Sequence, residues 1–299
     1  MEIVSLKDYE DFDKYRDELL TGKTKGEILL PIPIINPLEW SGEKTNPYAV
    51  ILGISQEDFE CIVYYAKYVI KDKKGKILVL NQADYIKAGG DILNCMKDTG
   101  GEAIIRLLEG VTREHLKELY EESRERETKL MADLVAYEEA HKDDEIIVCG
   151  IDEKIEFTED ALAYRRNRTE LEDVRYTMDS VSRFLRYGTS RLVMRKIKVF
   201  PLELCTIIRK YYETNPMAVA YDLSTLYSRV IGCSNSCRKM LKGNVPALVK
   251  NSYACMLQRN VDALLCNGRT GIIERTALED ESRPLISILD VIGKTVTLY

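Results

Sequence analysis

The fold is decided by residues 222–268, whose sequence is DLSTLYSRVIGCSNSCRKMLKGNVPALVKNSYACMLQRNVDALLCNG. Apolar residues recur there at intervals of three and four positions, which is the spacing of one face of an α-helix. They are Leu223, Leu226, Tyr227, Val230, Ile231, Cys237, Met240 and Leu241 in the first half, and Val249, Tyr253, Met256, Leu257, Val261, Leu264 and Leu265 in the second. We therefore predict two helices that bury these faces against each other.

The residues at the ends of the two halves favour helix termini. Asp222 and Ser224 can accept hydrogen bonds from the free amides of a first helical turn. Gly243-Asn244 can adopt the left-handed conformation that ends a helix, and Pro246 suits the first turn of the next one. Gly268 is expected to end the second helix. Because so few residues separate the halves, the helices should be antiparallel and form a hairpin.

The hairpin is basic although the whole chain is acidic, with a formal net charge of −6. Six basic minus two acidic residues give the hairpin a charge of +4. They are Arg229, Arg238, Lys239, Lys242, Lys250 and Arg259, against Asp222 and Asp262. The overall charge argues against a protein that coats nucleic acid over its whole surface. The hairpin could attract phosphates or an acidic protein, or simply be a solvated helical surface.

Length and composition indicate a soluble globular protein. The chain has 299 residues, of which 45% are hydrophobic and 31% are charged, so it can bury a sizeable core. It has no apolar run near the roughly 18 residues of a membrane-spanning helix, and its first residues lack a signal-peptide pattern. The eight cysteines form no CxxC pair. Free thiols and a cytoplasmic location, without membrane attachment, are therefore expected.

A long series of residues in the hairpin carries a family resemblance. They are Leu226-Tyr227, Arg229-Val230-Ile231, Asn235, Leu241, Pro246, Met256-Leu257-Gln258, Val261-Asp262-Ala263-Leu264 and Asn267-Gly268-Arg269-Thr270-Gly271. The series resembles the clamp coiled coil of the largest subunit (β′) of bacterial RNA polymerase. In that family the coiled coil is the main dock for region 2 of the sigma factor. The resemblance implies that this hairpin docks a sigma-like initiation factor.

Similar matches continue on both sides of the hairpin and cover most of the chain. They begin at Gly26 and include residues 41–51, 53–55, 63–70, 76–80, 82–97, 100–108, 183–188, 192–204 and 282–292. The resemblance implies a β′ clamp-like fold, mainly α with small β elements (α+β), from which the hairpin projects. The implied segments are an N-terminal helix in 1–25, a body in 26–221 with an unmatched insertion at 142–175, the hairpin, and a return segment at 269–299.

Local patterns predict the other elements. Helices are expected at 5–20 with Ser5 as N-cap, at 82–97, at 100–108, from Thr112 to residue 141, and from Thr158 onward. Strands are expected at 27–34, 76–80 and 192–199, with a loop at 37–40 and a small strand pair within 146–157.

The face of the hairpin that would meet the factor departs from the family pattern. In place of the arginines, asparagines and glutamate usual in β′, it has Ser228, Gly232, Cys233, Ser234, Ser236, Ser252, Tyr253, Ala254 and Cys255. The residues predicted to bind the partner are Arg229, Asn235, Arg238, Lys239, Tyr253, Gln258 and Arg259. They suggest an aromatic anchor with a cationic rim. The partner should therefore be acidic, helical and fitted to this altered face.

No catalytic residue is predicted in the chain. Nucleotidyl transfer needs metal-bound carboxylates, and in the family these follow the point where this sequence stops. Mg²⁺ is therefore expected only in a partner catalytic subunit. The family's zinc module has no counterpart before Gly26. Residues 22–24 and 11–13 only partly match a phosphate-binding loop and a metal-binding loop, so neither is predicted to be a site.

Three cysteines and two histidines are candidate metal ligands. Cys233, Cys237 and Cys255 could approach one another across the hairpin, but small thiols in a helix seam are the commoner arrangement. His115 and His141 are far apart on one polar helix and are predicted to lie at the surface. No metal is predicted.

Three hypotheses about function remain open. The first is a clamp module of a split polymerase, encoded by a phage or mobile element, whose partners are the other polymerase subunits, a sigma-like factor and possibly DNA. The second is a free-standing, non-catalytic clamp mimic that binds a sigma factor or a host polymerase and regulates transcription. The third is a fragment of a longer β′. Co-purified proteins would discriminate between them.

Overall fold

The structure of the protein, a computed structural model, describes residues 26–41, 46–72, 75–141, 159–199, 216–276 and 282–291. For residues 216–221 it describes the backbone alone. Several predicted features lie outside these residues: the helix at 5–20, the strand pair within 146–157, and the segments 11–13 and 22–24.

Helices are the main elements and are accompanied by two small antiparallel sheets. The helices are α1 (Pro37–Trp40), α2 (Pro47–Leu52), α3 (Gln56–Val63), α4 (Gln82–Lys87), α5 (Gly100–Glu109), α6 (Arg113–Ala140), α7 (Glu159–Tyr187), α8 (Pro216–Lys242) and α9 (Ala247–Cys266). The strands are β1 (Glu27–Ile35), β2 (Tyr68–Lys71), β3 (Ile77–Leu80) and β4 (Val193–Lys198), and a 3₁₀ turn covers Cys95–Asp98. The predicted class, mainly α with small β elements, is confirmed.

The two sheets each contain two strands, β1 with β4 and β2 with β3. The pairing of β1 with β4 is irregular between Leu29 and Ile34. Pro31 and Pro33 lie in this interval and have no N–H to donate to a neighbouring strand. Regular pairing resumes with Ile34 opposite Met194, so the proline segment forms a bulge in the sheet.

The loop predicted at residues 37–40 is wrong, because these residues form the short helix α1. The Asn36 side chain accepts a hydrogen bond from the Leu38 amide and so caps the first turn. Pro37 occupies the first helical position, where its missing N–H costs nothing. The strong capping chemistry therefore outweighs the loop signal of proline.

The helix predicted over 82–97 is also wrong in length. α4 ends at Lys87, and Gly89 then adopts a φ of +88°, a conformation typical of the residue after a helix end. The chain turns there and continues as the 3₁₀ turn at Cys95–Asp98. In the sequence, apolar residues continue at helical spacing past Gly89-Gly90. This spacing favoured a longer helix although the two glycines indicate its end.

The described residues form two compact units. The first comprises the described residues within Met1–Asn46, Ile54–Glu109 and Thr189–Tyr299, and the second comprises Pro47–Gly53 with those within Gly110–Gly188. These units do not coincide with the predicted segments 1–25, 26–221, 222–268 and 269–299, which stay predictions. The described part of the predicted insertion 142–175 belongs to α7.

The hairpin of α8 and α9 supplies much of the core of the first unit. Its fully buried apolar residues pack with Ile34 of β1, Ile197 of β4 and Leu285. They are Leu226, Val230, Cys237, Ala254, Leu257, Val261 and Leu264, each 0% exposed. The predicted antiparallel pair of helices is therefore present, and it is the centre of this unit.

The expectation that the hairpin projects from the body is wrong. α9 buries six consecutive residues, from Val261 to Cys266, which is more than one helical face. Besides α8 it contacts β1, α1, α5 and the 3₁₀ turn. Even Ala247, its first residue, packs with Tyr68 and Tyr85. A row of apolar residues at helical spacing identifies one buried face of a helix. It did not reveal the second buried face of α9.

The second unit is built on two long helices. Arg126 of α6 pairs with Glu170 of α7, and Tyr137 stacks on Tyr164, so the two helices are antiparallel. Leu130, Leu134 and Leu171 are buried between them. The predicted start of α6 is confirmed, since the Thr112 hydroxyl accepts from the His115 amide. The short α2 packs on α7 through the ring pair Tyr48–Phe184.

Candidate partner-binding surface on the helical hairpin

The hairpin begins earlier than predicted, and Asp222 is not its N-cap. α8 starts at Pro216, so Asp222 lies within the helix and is 0% exposed. Its carboxylate accepts from both terminal nitrogens of Arg283, at 2.6 and 3.1 Å, and from the Ile286 amide at 3.0 Å. Asp222 therefore attaches α8 to the segment that follows the hairpin.

The turn between the helices uses different chemistry from that predicted. The Gly243 amide donates to the carbonyl oxygens of Lys239 and Met240, and neither Gly243 nor Asn244 is among the described residues with positive φ. Pro246 precedes α9 as its N-cap. The predicted end of α9 is confirmed, since Gly268 follows the helix with a φ of +89°.

Gln258 attaches α9 to strand β1. Its Nε2 donates to the Ile35 carbonyl oxygen (2.7 Å), and its Oε1 accepts from the Ile35 amide (2.9 Å). Gln258 is 1% exposed, so the sequence-based assignment of this residue to a partner-binding face is corrected. An amide side chain has both a donor and an acceptor, which is what a single strand residue with an unpaired backbone needs.

Asp262 extends this contact to α3. Its Oδ1 accepts from Gln258 Nε2 (2.8 Å) and its Oδ2 from the Tyr64 hydroxyl (2.7 Å). Burial raises the pKa of Asp262 to about 7, since the two hydrogen bonds only partly compensate for lost hydration. Burial also raises the pKa of the Tyr64 hydroxyl. The Asp262 carboxyl group therefore connects elements of the fold, and its ionisation makes this connection sensitive to pH.

The two arginines predicted to bind a partner also make contacts within the fold. Arg229 pairs with Glu274 at 2.6 Å, with side chains 37% and 40% exposed. Arg238 donates to the Asn235 side chain and to the Leu29 carbonyl oxygen, both at 3.0 Å. Part of each guanidinium remains accessible. Both arginines can meet a partner, but neither is a free surface group.

The other predicted residues are closer to solvent, but they do not form one cluster with the arginines. Lys239 and Asn235 are exposed on α8, and Tyr253 is half-buried on α9. Arg259 is exposed on α9, with its guanidinium carbon 5.7 Å from the centroid of the Tyr64 ring, a cation–π distance. The structure thus places the predicted residues on both helices and on several sides of them.

Three apolar residues that were predicted to lie in the helix seam are exposed instead. Ile231, Val249 and Met256 are 45%, 38% and 50% exposed. Leu248, also 38% exposed, was not predicted as a surface residue. Ile231 adjoins the buried Val230 and Met256 adjoins the buried Leu257, and helical spacing alone cannot choose between such neighbours. The hairpin surface therefore offers apolar contacts as well as charge.

The surface charge of the hairpin is more positive than its sequence suggests. Both of its acidic residues, Asp222 and Asp262, are buried, at 0% and 2% exposure, and Asp222 is paired with Arg283. The basic residues are all half-buried or exposed, with Lys239, Lys242 and Arg259 in the exposed class. A patch of one sign attracts a partner of the opposite sign.

Of three hairpin cysteines, Cys237 is buried, whereas Cys233 and Cys255 are half-buried. Burial raises the pKa values of Cys233 and Cys255, and it raises that of Cys237 to about 11. A metal ligand must be a thiolate, which this setting disfavours. Within the described ranges, groups of three or more metal-binding side chains are absent. His141, predicted at the surface, is half-buried and stacks on Tyr137 at 4.0 Å.

A cavity of about 450 Å³ lies in the first unit, between β2, α4 and α5. Its walls carry Lys71 and Arg106 but also Asp91 and Asp98. Asp98 already accepts from the Tyr85 hydroxyl and from Arg106. The two charges of each sign balance, so the cavity selects neither anions nor cations. Sequence reasoning did not identify it.

None of the helices in the described ranges combines the length and the apolar composition that a membrane crossing needs.

Comparison with known proteins supports the resemblance seen in the sequence. A search of protein-family models finds no match. The chain is 24% identical over 286 residues to the protein named DNA-directed RNA polymerase subunit beta′ of Fusobacterium nucleatum, covering 92% of this chain and 18% of that protein. It is 30% identical over 247 residues to the beta′ subunit of Limosilactobacillus fermentum, covering 80% and 16%. It is 28% identical over 274 residues to the beta′ subunit of Oenococcus oeni, covering 88% of this chain and 22% of that protein.

The predicted resemblance to β′ is confirmed over most of the chain. The similarity is spread along both units and is not confined to the hairpin, since the aligned regions reach 92% of the residues. The chain spans only 16% to 22% of the length of these three relatives. The similarity therefore concerns one region of a much larger protein.

Proposed function

We propose, from this similarity to bacterial β′ subunits, that the chain is a clamp-type module of a DNA-dependent RNA polymerase and that its hairpin docks a sigma-like initiation factor. The module positions the factor, and catalysis belongs to another subunit that holds the Mg²⁺. Its other proposed partners are the remaining polymerase subunits and DNA in the assembled complex. The complex would act in the cytoplasm, which is that of the host if a phage or mobile element encodes it.

The observation that carries this proposal is the uneven burial of charge on the hairpin. Both carboxylates are buried, whereas Lys239, Lys242 and Arg259 are exposed. A structural hairpin has no need for a one-signed outer surface. Such a surface favours fast, salt-dependent association with an acidic partner.

The apolar residues on the same hairpin indicate the shape of that partner. Val249, Met256 and the half-buried Tyr253 follow one another on α9 at spacings of three and four residues, so they share one side of the helix. An amphipathic helix can lay its apolar side along such a row. The proposed partner therefore presents a helix that is apolar on one side and acidic at its edges.

The test uses the full chain and charge reversal at exposed lysines whose side chains form no hydrogen bond or ion pair with the described residues. Lys239→Glu combined with Lys242→Glu should weaken binding of the purified initiation factor by about tenfold or more, mainly through slower association. Lys117→Glu combined with Lys129→Glu makes the same charge change on α6 of the second unit and should leave binding unchanged. Arg229 and Arg238 are unsuitable for reversal because both bond within the fold.

The measurement is a titration of the factor with each variant at two salt concentrations, after melting curves show that all variants fold. Equal affinity of the hairpin variant and the wild type would refute docking at this surface. The identity of the proteins captured with the tagged chain distinguishes the split-subunit hypothesis from the clamp-mimic hypothesis. A subunit brings catalytic polymerase chains with it, whereas a free-standing clamp mimic brings a sigma factor or the host polymerase alone.

A further inference from the structure

Asp262 is a buried acidic group without an ion-pair partner among the described residues. It is 2% exposed, and its two hydrogen-bond donors, Tyr64 and Gln258, are both neutral. Arg259 lies three residues earlier on α9 but is exposed and covers the Tyr64 ring. A carboxylate at this depth has lost its hydration without a charged partner in exchange.

The same cluster connects three elements. Gln258 bonds both backbone groups of Ile35, the last residue of β1, and its Nε2 also donates to Asp262. Asp262 in turn accepts from Tyr64, the C-cap of α3. One amide group and one carboxyl group thus attach α9 to β1 and to α3.

We propose that Asp262 is a proton-dependent switch that controls how stably α9 is attached to β1 and α3. When the carboxyl group is protonated, the cluster is neutral and the observed contacts persist. When it is ionised, the buried charge favours local opening that admits water. A protonated carboxyl group retains acceptor capacity, so it can still accept from the Tyr64 hydroxyl and from Gln258.

Other ionisable groups lie around Asp262. They are Tyr64 at the end of α3, Arg259 and Cys266 on α9, and, next to Cys266, Arg269 and Asp290. Burial raises the pKa of Cys266 to about 12 and also raises that of Tyr64, so both stay neutral near pH 7. Asp290 accepts from the Ser287 hydroxyl and amide, and its charge acts on the pKa of Cys266.

The direction of the pH effect follows from the two states of Asp262. Burial raises its pKa from 3.8 to about 7 in the closed state. Between these values the closed state keeps a proton that the opened state releases, so the closed state loses stability as pH rises. The opening equilibrium constant should rise about tenfold per pH unit from about pH 4 to about pH 7, and it should level off above that.

Amide hydrogen exchange at Ile35 reports this opening directly, because that amide donates to Gln258. We would measure its protection factor in the full chain between about pH 5 and pH 8, with the buried Leu130 of α6 as a reference in the second unit. The wild-type protection of Ile35 should fall about a hundredfold between pH 5 and pH 7 relative to Leu130. In Asp262→Asn the relative protection should not change with pH.

A wild-type protection factor that is flat with pH, or an Asp262→Asn variant that keeps the decline, would overturn the proposal. Tyr64→Phe keeps it testable if Asp262→Asn does not fold. This variant removes a donor to the ionised carboxylate, so the pKa of Asp262 in the closed state rises and the decline should continue to higher pH before it levels off. Levelling off at the wild-type pH would exclude the Tyr64–Asp262 contact as part of the switch.

Discussion

Arg283 binds Asp222, which lies 61 residues earlier in the chain, through both of its terminal guanidinium nitrogens. The carboxylate is fully buried inside α8, and the guanidinium is about half exposed. A third bond from the Ile286 amide completes the set. The pair therefore fixes the segment 282–291 against a helix that ended 40 residues before it, and the carboxylate depends on this one cation.

Replacing Arg283 with Leu should destabilise the protein by about 3–5 kcal/mol, because it leaves Asp222 buried and unpaired. Denaturant unfolding measures the loss. Arg124→Leu is the matched control: its contact with Glu121 is 4.0 Å long and both side chains are more than half exposed, so less than about 1 kcal/mol is expected. Equal losses in both variants would mean that Asp222 finds another partner.

Gly100→Ala should be much more harmful than Gly53→Ala. Both glycines have positive φ, +67° and +64°, which costs an alanine about 1–2 kcal/mol. A Cβ on Gly100 would lie 2.1 Å from Cζ of the Tyr65 ring, whereas a Cβ on Gly53 would meet nothing within 4 Å. Melting temperatures of the two variants, compared with the wild type, separate backbone strain from the added clash. Similar shifts would contradict the tight packing of Tyr65 on α5.

Gln258→Leu should destabilise the protein by about 2–5 kcal/mol, since it leaves the amide and carbonyl of Ile35 buried without partners. Gln56→Leu removes an amide of the same size that donates to the Glu60 side chain at 3.3 Å, so a change below about 1 kcal/mol is expected. Urea unfolding compares the two. The assignment fails if the Gln258 variant is as stable as the Gln56 variant.

In the second unit, stability should depend on the apolar contacts of the long helices and hardly at all on their ion pairs. Leu130 is 1% exposed, and Leu130→Ala should cost about 2–5 kcal/mol. The Arg126–Glu170 side chains are 44% and 43% exposed, so a double-mutant cycle should give a coupling below about 1 kcal/mol. A larger coupling would show that the pair is shielded from solvent.

Periodicity within residues 222–268 was enough to predict the antiparallel helices, because the spacing of apolar residues is a local property. It could not show which of two adjacent apolar residues is buried, as Val230 and Ile231 illustrate. It also could not show that α9 has a second buried face, since that face depends on β1 and α3. That second face includes polar residues such as Gln258 and Asp262, so the spacing of apolar residues does not mark it.

The predicted site was incomplete for the same reason. Asp222 followed by Ser224 has the local chemistry of a helix cap, and only the distant Arg283 explains why it lies within α8. Arg229 and Arg238 are half-buried, and their partners Glu274 and the Leu29 carbonyl could not be inferred locally because they are remote in sequence. The best signal of a buried polar residue in the sequence was its position within an apolar series, as for Gln258 directly after Leu257.

The contacts that α8 and α9 make with β1 also limit the pairing of this strand with strands of other molecules. A two-stranded sheet has open edges whose unpaired backbone groups can recruit a strand from another molecule. Here the Gln258 side chain occupies both backbone groups of Ile35, and Ser234 and Arg238 occupy the Leu29 carbonyl oxygen. Helical side chains thus take the place of a neighbouring strand, and they protect the chain against intermolecular sheet formation and aggregation.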